Sequence, residues 1–543
     1  MAKRSGTQYS PTQGSFDPSE AEVQAGDECR SSTAGGRSRR AFIGGVAATG
    51  VSLAAFSSSA SAYHGYADEY DNVVNIVDAG ADNTGSKSIT PVLKDLRADD
   101  TLLVFPEGRY YMDEQFRFTN FDNFGIVGNN ATIVPANYYN FDGPQYRLFR
   151  LGTVKNPGRK VRVEGLRVDQ TAPDTGIRAI EANVTTRLDV EDIKIYGKHD
   201  SGTWGPARFN VVNPNGTGRV VDFHAKDGGE WTDNTPHAEH RSSRGPIGIV
   251  ANRTEGELMF RRCHLYDFPG SGLYAINGDG QIIVHGGVYK NSSSASLRVG
   301  GTDSIIRWPQ VIVDTDSGRN TSQRGIRLES GGATVKGAAI DISLDKENCY
   351  AISVMNSCSD AWIEGVKINL SGNAVQHGIV TSAGCGEVVI VDTDITHTSA
   401  GGYPLWARGT GNDDRLLCEY LTIDGRAGAE SGFRDAVRID RDNCRLNACE
   451  IAQSGKNGAA RNAVTNFGQG LTIYKSTLEA SQYPIVEVGN DTLYLDVDAE
   501  SYSGREAACL YDESYDVAIK SSRMKNGIRD FGSDELVLYN NSY

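Results

Sequence analysis

No stretch of the chain reaches the roughly 18 consecutive apolar residues that a membrane helix needs, so no stable membrane span is expected. Basic residues are outnumbered: 54 Lys plus Arg stand against 69 Asp plus Glu, a net charge of −15. Nucleic-acid binding, whose affinity comes mostly from neutralising phosphates with a basic face, is therefore not expected. Lysine is scarce, 16 against 38 Arg, and the nine Cys include no Cys-x-x-Cys pair of the kind that frames zinc. Apolar residues do not recur every 3.6 positions, which argues against a helical solenoid. What is present is glycine, 62 residues against 16 Pro, a composition that favours turns in number. At 543 residues and 39% apolar, the chain far exceeds one compact core, so several domains or one repeat architecture must follow.

The first 62 residues read as an export signal. Ser38-Arg39-Arg40-Ala41-Phe42-Ile43 precedes a weakly apolar stretch running to Phe56, then Ala60-Ser61-Ala62, a small-residue cleavage box. The pair Arg39 and Arg40 resembles a twin-arginine (Tat) signal, matching its core motif except for the final Lys, and implies passage through the Tat machinery and cleavage after Ala62. Without residues 1–62 the chain keeps a charge of −16. Low Lys with abundant acid and Arg resembles the exported proteins of extreme halophiles, whose acidic surfaces stay soluble in high salt. Glycosylation sequons begin at Asn130, Asn183, Asn215, Asn252, Asn320 and Asn490 among others, as an exported surface would allow.

From Gly176 onward a unit recurs. Its starts include Gly176-Ile-Arg-Ala, Gly248-Ile-Val-Ala, Gly272-Leu-Tyr-Ala, Ser296-Leu-Arg-Val and Gly325-Ile-Arg-Leu, and continue to Gly527-Ile-Arg-Asp. After Gly248 the period stays between about 19 and 32 residues, the range in which self-similarity signals a solenoid. A second segment follows each start, with apolar side chains at zero, minus two, minus five and minus seven from its last core residue. Leu258, Phe260, Cys263, Leu265 and Ala361, Ile363, Val366, Ile368 show it. Alternation broken once by a step of three is what short parallel strands with a corner require. The predicted fold is all-β: a single-stranded, right-handed parallel β-helix of about thirteen turns. Predicted domains are the signal region 1–62, an N-terminal cap over 63–135, and the β-helix over 136–543 with a loop insertion at about 197–245.

The cap carries a family resemblance. The strand Val74 to Val77, the Gly80-Ala81-Asp82 turn, a short helix within Ile89 to Leu96, Val104-Phe105-Pro106-Glu107-Gly108-Arg109-Tyr110 and Gly125-Ile126-Val127-Gly128 resemble the opening of pectate-lyase-superfamily β-helix proteins. That resemblance implies the fold. It leaves the reaction open, because such folds serve lyases, hydrolases, epimerases, tailspikes and pure binding proteins.

Eight Cys follow the signal, and export permits disulfides. Five fall on inward offsets and read as small core hydrophobes. Cys358 and Cys385 each precede the terminal Ile of their own rung by ten residues, so they should stack about 4.8 Å apart, inside the disulfide window; a Cys358–Cys385 bridge is expected.

Aligning the unit starts makes the residue between the two apolar positions point outward, giving Val250, Tyr274, Arg298, Arg327, Ser353, Val380, Trp406 and Arg438. Arg298 and Arg327 then lie side by side, a repulsion that a bound carboxylate or sulfate would relieve, and the Tyr274 ring suits a sugar face. A solvated arginine ladder paired with Glu329 or Asp303 is the alternative. The insertion adds Lys226, Trp231, His237 and His240, and His285 follows; these residue types serve acid–base chemistry and sugar stacking, although a glycan-decorated lid is an equal reading. Asp267 and Asp279 are candidate oxygen ligands for Ca2+. Hydrolase signatures are incomplete: Asp413-Asp414 and His377-Gly378-Ile379 occur in reversed order relative to polygalacturonase motifs. The chain therefore reads as an extracellular or cell-surface protein binding an anionic polysaccharide along the Tyr274–Arg298–Arg327 column, and cleaving it by β-elimination if it is an enzyme. The alternatives are a non-catalytic adhesive protein and a glycoside hydrolase.

Overall fold

In the computed structural model the described residues are 67–141, 145–236, 244–319, 322–409 and 412–543. They coil into a parallel β-solenoid in which strands pair with the equivalent strands of neighbouring rungs. Each full rung crosses three parallel sheets. One rung shows the pattern: Glu257–Arg261 in the first sheet, His264–Tyr266 in the second, and Ser271–Ala275 in the third. The next is Ile282–His285, Val288–Lys290 and Ala295–Val299, paired residue for residue with the first.

The step of three in the apolar pattern is the corner between the first and second sheets. Phe260 and Cys263 both face the core, and Arg262 between them takes φ +51°. The same left-handed residue recurs in successive rungs as Gly286, Trp308, Gly337, Gly365, Asp392, Tyr420, Ala448, Lys475, Asp496 and Ser521. A single left-handed residue turns the chain while keeping alternation on either side. Most of these positions are not glycine, so each accepts a backbone conformation that L-residues disfavour.

The core is one continuous stack of buried apolar side chains from Ile76 to Met524. Aliphatic residues stack on aliphatic ones, for example Ile326, Ile352, Ile379 and Leu405 up the third sheet. At the N-terminal end the short helix Thr90–Asp95 begins with Pro91 in its first turn, where the missing N–H costs nothing. It buries Leu93, beside Ile89, over the first rungs. Aromatic packing is dense there, with Phe116, Phe118, Phe121, Phe124 and Phe149 in mutual contact.

The solenoid has about 16 turns, more than the thirteen unit starts in the sequence. The third sheet supplies the difference. Phe116–Phe118 and Arg147–Leu151 precede Gly176, and Ala207–Val211 lies inside the stretch read as an insertion. Ala207–Val211 pairs with Ile180–Val184, and Thr217–Ala225 pairs with both the preceding and following rungs, so this stretch is largely a regular rung. Its irregular described parts are Lys226–Pro236 and Arg244–Pro246.

The expected Cys358–Cys385 bridge is absent. The two cysteines do occupy equivalent places on adjacent rungs, two residues before the paired Asp360 and Glu387, but all eight described thiols are free. Cys358 Sγ lies 3.2 Å from the Asp360 carbonyl oxygen, whereas Cys385 Sγ accepts from Arg441 Nη1 at 3.0 Å, so the sulfurs are engaged by different neighbours. Arg39, Arg40 and the Ala62 site lie outside the described residues.

Candidate functional site

The outer face of the third sheet gathers the chemistry. Its outward column is in register as the rung alignment implies: Tyr274 pairs with Arg298, Arg298 with Arg327, Arg327 with Ser353, then Val380, Trp406 and Arg438. At about 4.8 Å per rung, Tyr274 to Arg438 spans about 29 Å.

The two arginines do not await an external anion. Glu329 Oε1 accepts from Arg298 Nε at 2.8 Å and also contacts Arg327 Nε, so one carboxylate sits where the ligand group was expected. Arg298 in turn lies 4.9 Å above the Tyr274 ring and occupies that face. Burial raises the Tyr274 hydroxyl above its usual range. This cluster is a paired ladder with one net positive charge.

Several other sequence candidates do not join it. His285 is on the first sheet, edge-on to Trp308 at 5.1 Å and paired in register with Arg307. Lys226 sits 5.7 Å above Tyr266 on the second sheet, near the tilted ring pair His224 and His264. The Trp231 ring carries Arg319 at 4.9 Å, and Arg319 also holds Asp233 at 2.6 Å. Together with Arg244, which donates to the Ser293 carbonyl at 3.4 Å, this ties the segment to the turns leading into the third-sheet strands. His237 and His240 lie outside the described residues. Asp267 and Asp279 fall at opposite ends of the strand Ser271–Ala275 and do not converge. Among the described residues no three His, Cys, Asp or Glu side chains come together as a metal site would need.

Two features of this face were missed. Farther along, Tyr350, His377, Tyr403, Trp406 and Phe433 form a connected aromatic cluster with ring centroids 5.1–5.5 Å apart. Burial pushes His377 down to about 3, so it is a neutral packing ring. Trp406, Tyr350 and Phe433 remain half-exposed, and Asp440 accepts from Trp406 Nε1 at 2.8 Å and from Arg438 Nε at 3.1 Å. Half-exposed rings bordered by fixed polar groups suit the apolar face and hydroxyls of a sugar, although Arg408 already lies 4.8 Å above the Trp406 ring as Arg298 does above Tyr274. Toward the N-terminus the column continues back through Arg208, Glu181, Arg150 and Arg117. Glu181 there is surrounded by arginines.

No protein-family model matches the chain. No curated protein matches it. Solved structures align with it over most of its length at low similarity. The catalytic unit of a thermostable GH87 alpha-1,3-glucanase from Streptomyces thermodiastaticus is 12% identical, with a TM-score of 0.33, over 87% of this chain and 69% of that one. The surface protein and adhesin PfbA of Streptococcus pneumoniae is 10% identical, TM-score 0.33, over 87% and 99%. The mannuronan C-5 epimerase AlgE4 A-module of Azotobacter vinelandii is 11% identical, TM-score 0.24, over 86% and 100%. Such values leave the site to be judged on its own residues.

Proposed function

We propose that this protein is an extracellular or cell-surface polysaccharide-binding protein that holds its ligand along the outer face of the third sheet. The observation that carries the reading is the outward column itself, in which Tyr274, Arg298, Arg327, Trp406 and Arg438 lie in unbroken rung register on one face. Rungs repeat at a spacing close to that of sugar units in an extended chain, so successive residues meet successive units. Between Tyr274 and Arg438 binding is favoured over cleavage because Arg298, Arg327 and Arg438 already hold carboxylates of this chain. β-Elimination needs a cation free to neutralise the substrate carboxylate and a base beside it. The site outside the cell rests on the Arg39-Arg40 signal and the Ala60-Ser61-Ala62 box.

Affinity electrophoresis of the protein in gels containing polygalacturonate, alginate, dextran sulfate or neutral dextran tests the reading. Retardation on at least one polymer, weakened by Trp406→Ala, is expected. Ultraviolet absorbance of unsaturated uronate should stay flat; its rise would establish a lyase instead. No retardation on any polymer would refute the binding reading.

A further inference from the structure

On the same face, at the N-terminal end of the column, three arginines share a single carboxylate among the described residues. Glu181 is fully buried on the third sheet, and its Oε2 accepts from Arg147 Nε at 2.6 Å and Arg178 Nη1 at 2.8 Å. Its Oε1 accepts from Arg150 Nε at 3.2 Å. Arg208 is its rung neighbour on the other side and adds a fourth positive charge. Although burial opposes it, these guanidinium groups hold Glu181 well below the usual carboxylate range, so it stays ionised. Three guanidinium groups, those of Arg147, Arg150 and Arg178, therefore share the one carboxylate of Glu181, in a protein whose net charge is −15.

The donors are not used up. Arg178 forms the floor, 2% exposed, with Nη2 on Gln145 Oε1 at 3.3 Å and Nε on the Gly205 carbonyl at 3.4 Å. Arg147 and Arg150 form the rim, their side chains 11% and 18% exposed. Each reaches Glu181 through Nε alone, and among the described residues their terminal amino groups have no other partner. A guanidinium with both terminal nitrogens unused is the side chain best shaped to grip a carboxylate or sulfate through two parallel bonds. Glu181 fixes the side chains by their Nε atoms without covering those edges. The contrast with Arg298 and Arg327, where two charges share one carboxylate in an otherwise similar register, identifies which end of the face still needs an anion.

We infer that Arg147 and Arg150, held by Glu181 and backed by Arg178 and Arg208, form the receptor for the acidic group of the ligand, a carboxylate or sulfate on a polysaccharide. The inference rests on the polysaccharide reading above for the polymer, and on the arginine geometry alone for the anion. It places the acidic end of the ligand by Arg150 and the neutral sugar faces toward Trp406.

The test uses Arg150→Gln, which leaves Arg147 and Arg178 on Glu181, and the double variant Arg147→Gln/Arg150→Gln, both checked for an unchanged cooperative melt. In affinity electrophoresis the double variant should bind polygalacturonate or dextran sulfate at least about thirtyfold more weakly than the parent, with the single variant between them. Comparing the two polymers separates carboxylate from sulfate. Independently, glucuronate or inorganic sulfate, at ionic strength matched with chloride, should raise the melting temperature of the parent saturably and that of the double variant less. If an acidic polymer retards parent and double variant equally, the receptor is elsewhere and only the polysaccharide reading survives. If no polymer retards the parent while the small anions still shift its melting through Arg147 and Arg150, the anion receptor stands and the polysaccharide reading falls. Absence of both effects overturns the receptor.

Discussion

Glu487 should make stability fall as pH rises toward neutrality. It sits on the third sheet facing the core, in register with Asn466 and Leu510, and is fully buried. Its Oε1 accepts from Asn466 Nδ2 at 2.8 Å and from the Gly489 N–H at 2.6 Å, and its Oε2 lies 2.6 Å from the Tyr494 hydroxyl. Burial raises the carboxyl from 4.5 to about 7, against the pull of these hydrogen bonds. The folded chain therefore keeps a proton that the unfolded chain has released between pH 4.5 and 7, and stability drops with rising pH across that window. The gap amounts to about 3 kcal/mol, fully lost above pH 7. Glu487→Gln keeps the acceptor for Asn466 and Gly489 and places an NH2 donor toward the Tyr494 oxygen, without a charge to desolvate. Urea unfolding at a series of pH values from 5 to 8.5 should show the variant gaining on the parent steadily up to about pH 7.5, and by about 3 kcal/mol beyond it. A parent–variant difference that does not change with pH would refute the protonated state, and a variant weaker than the parent at pH 8 would refute the hydrogen-bond assignment.

Denatured without reductant, the chain lacking residues 1–62 should titrate eight thiols; a count of six would restore a disulfide. Ala448→Gly should raise the urea midpoint, by up to about 1 kcal/mol in stability, because Ala448 holds φ +49° at a corner that glycine adopts without a Cβ clash. In a glycosylating expression host, peptide mapping should find glycan at the exposed Asn130 and Asn215 and none at Asn183, which is buried, donates to the Gly152 carbonyl and accepts from Asn210. Glycan on Asn183 would mean that its rung is open before modification.

The fold was legible because a solenoid repeats its signal. Each rung shows the same inward alternation and the same step of three, so the third-sheet column from Val250 to Arg438 could be laid out residue by residue before any coordinates. What the pattern could not convey is that the step of three is one left-handed residue, since Trp308, Tyr420 and Lys475 carry no turn signature. Counting from Gly176 lost the earlier strands, where Arg147-Leu148-Phe149-Arg150 lacks the small residue that opens later units, and with them the Glu181 cluster. Carrying the column three rungs back from Val250 puts Arg208, Glu181 and Arg150 in line with Tyr274, whereas the start read at Gly176 set Arg178 there, three residues out of register. The loop candidates failed for a different reason. Proximity in sequence gathered His285, Lys226 and Trp231, yet a coil sends residues about ten apart to different sheets. The Arg298–Arg327 pair was placed correctly, and the alternative of a ladder paired with Glu329 is the one the side chains adopt, since Glu329 follows Arg327 by two residues and reaches both guanidinium groups.

From Gly165 onward the corner between the first and second sheets takes one residue in rung after rung, whereas the chain varies in length at the two turns bordering the third sheet. Lys226–Pro246 and the turn from Asp314 to Ser322 enter it on one side, and Arg408–Arg415 leaves it on the other. From Gly165 onward the solenoid thus has a hinge line of constant length and a face both of whose borders vary. New side chains can be added beside that face without shifting the alternation that keeps the core closed, so a chain of this design can change what it grips while its interior stays the same.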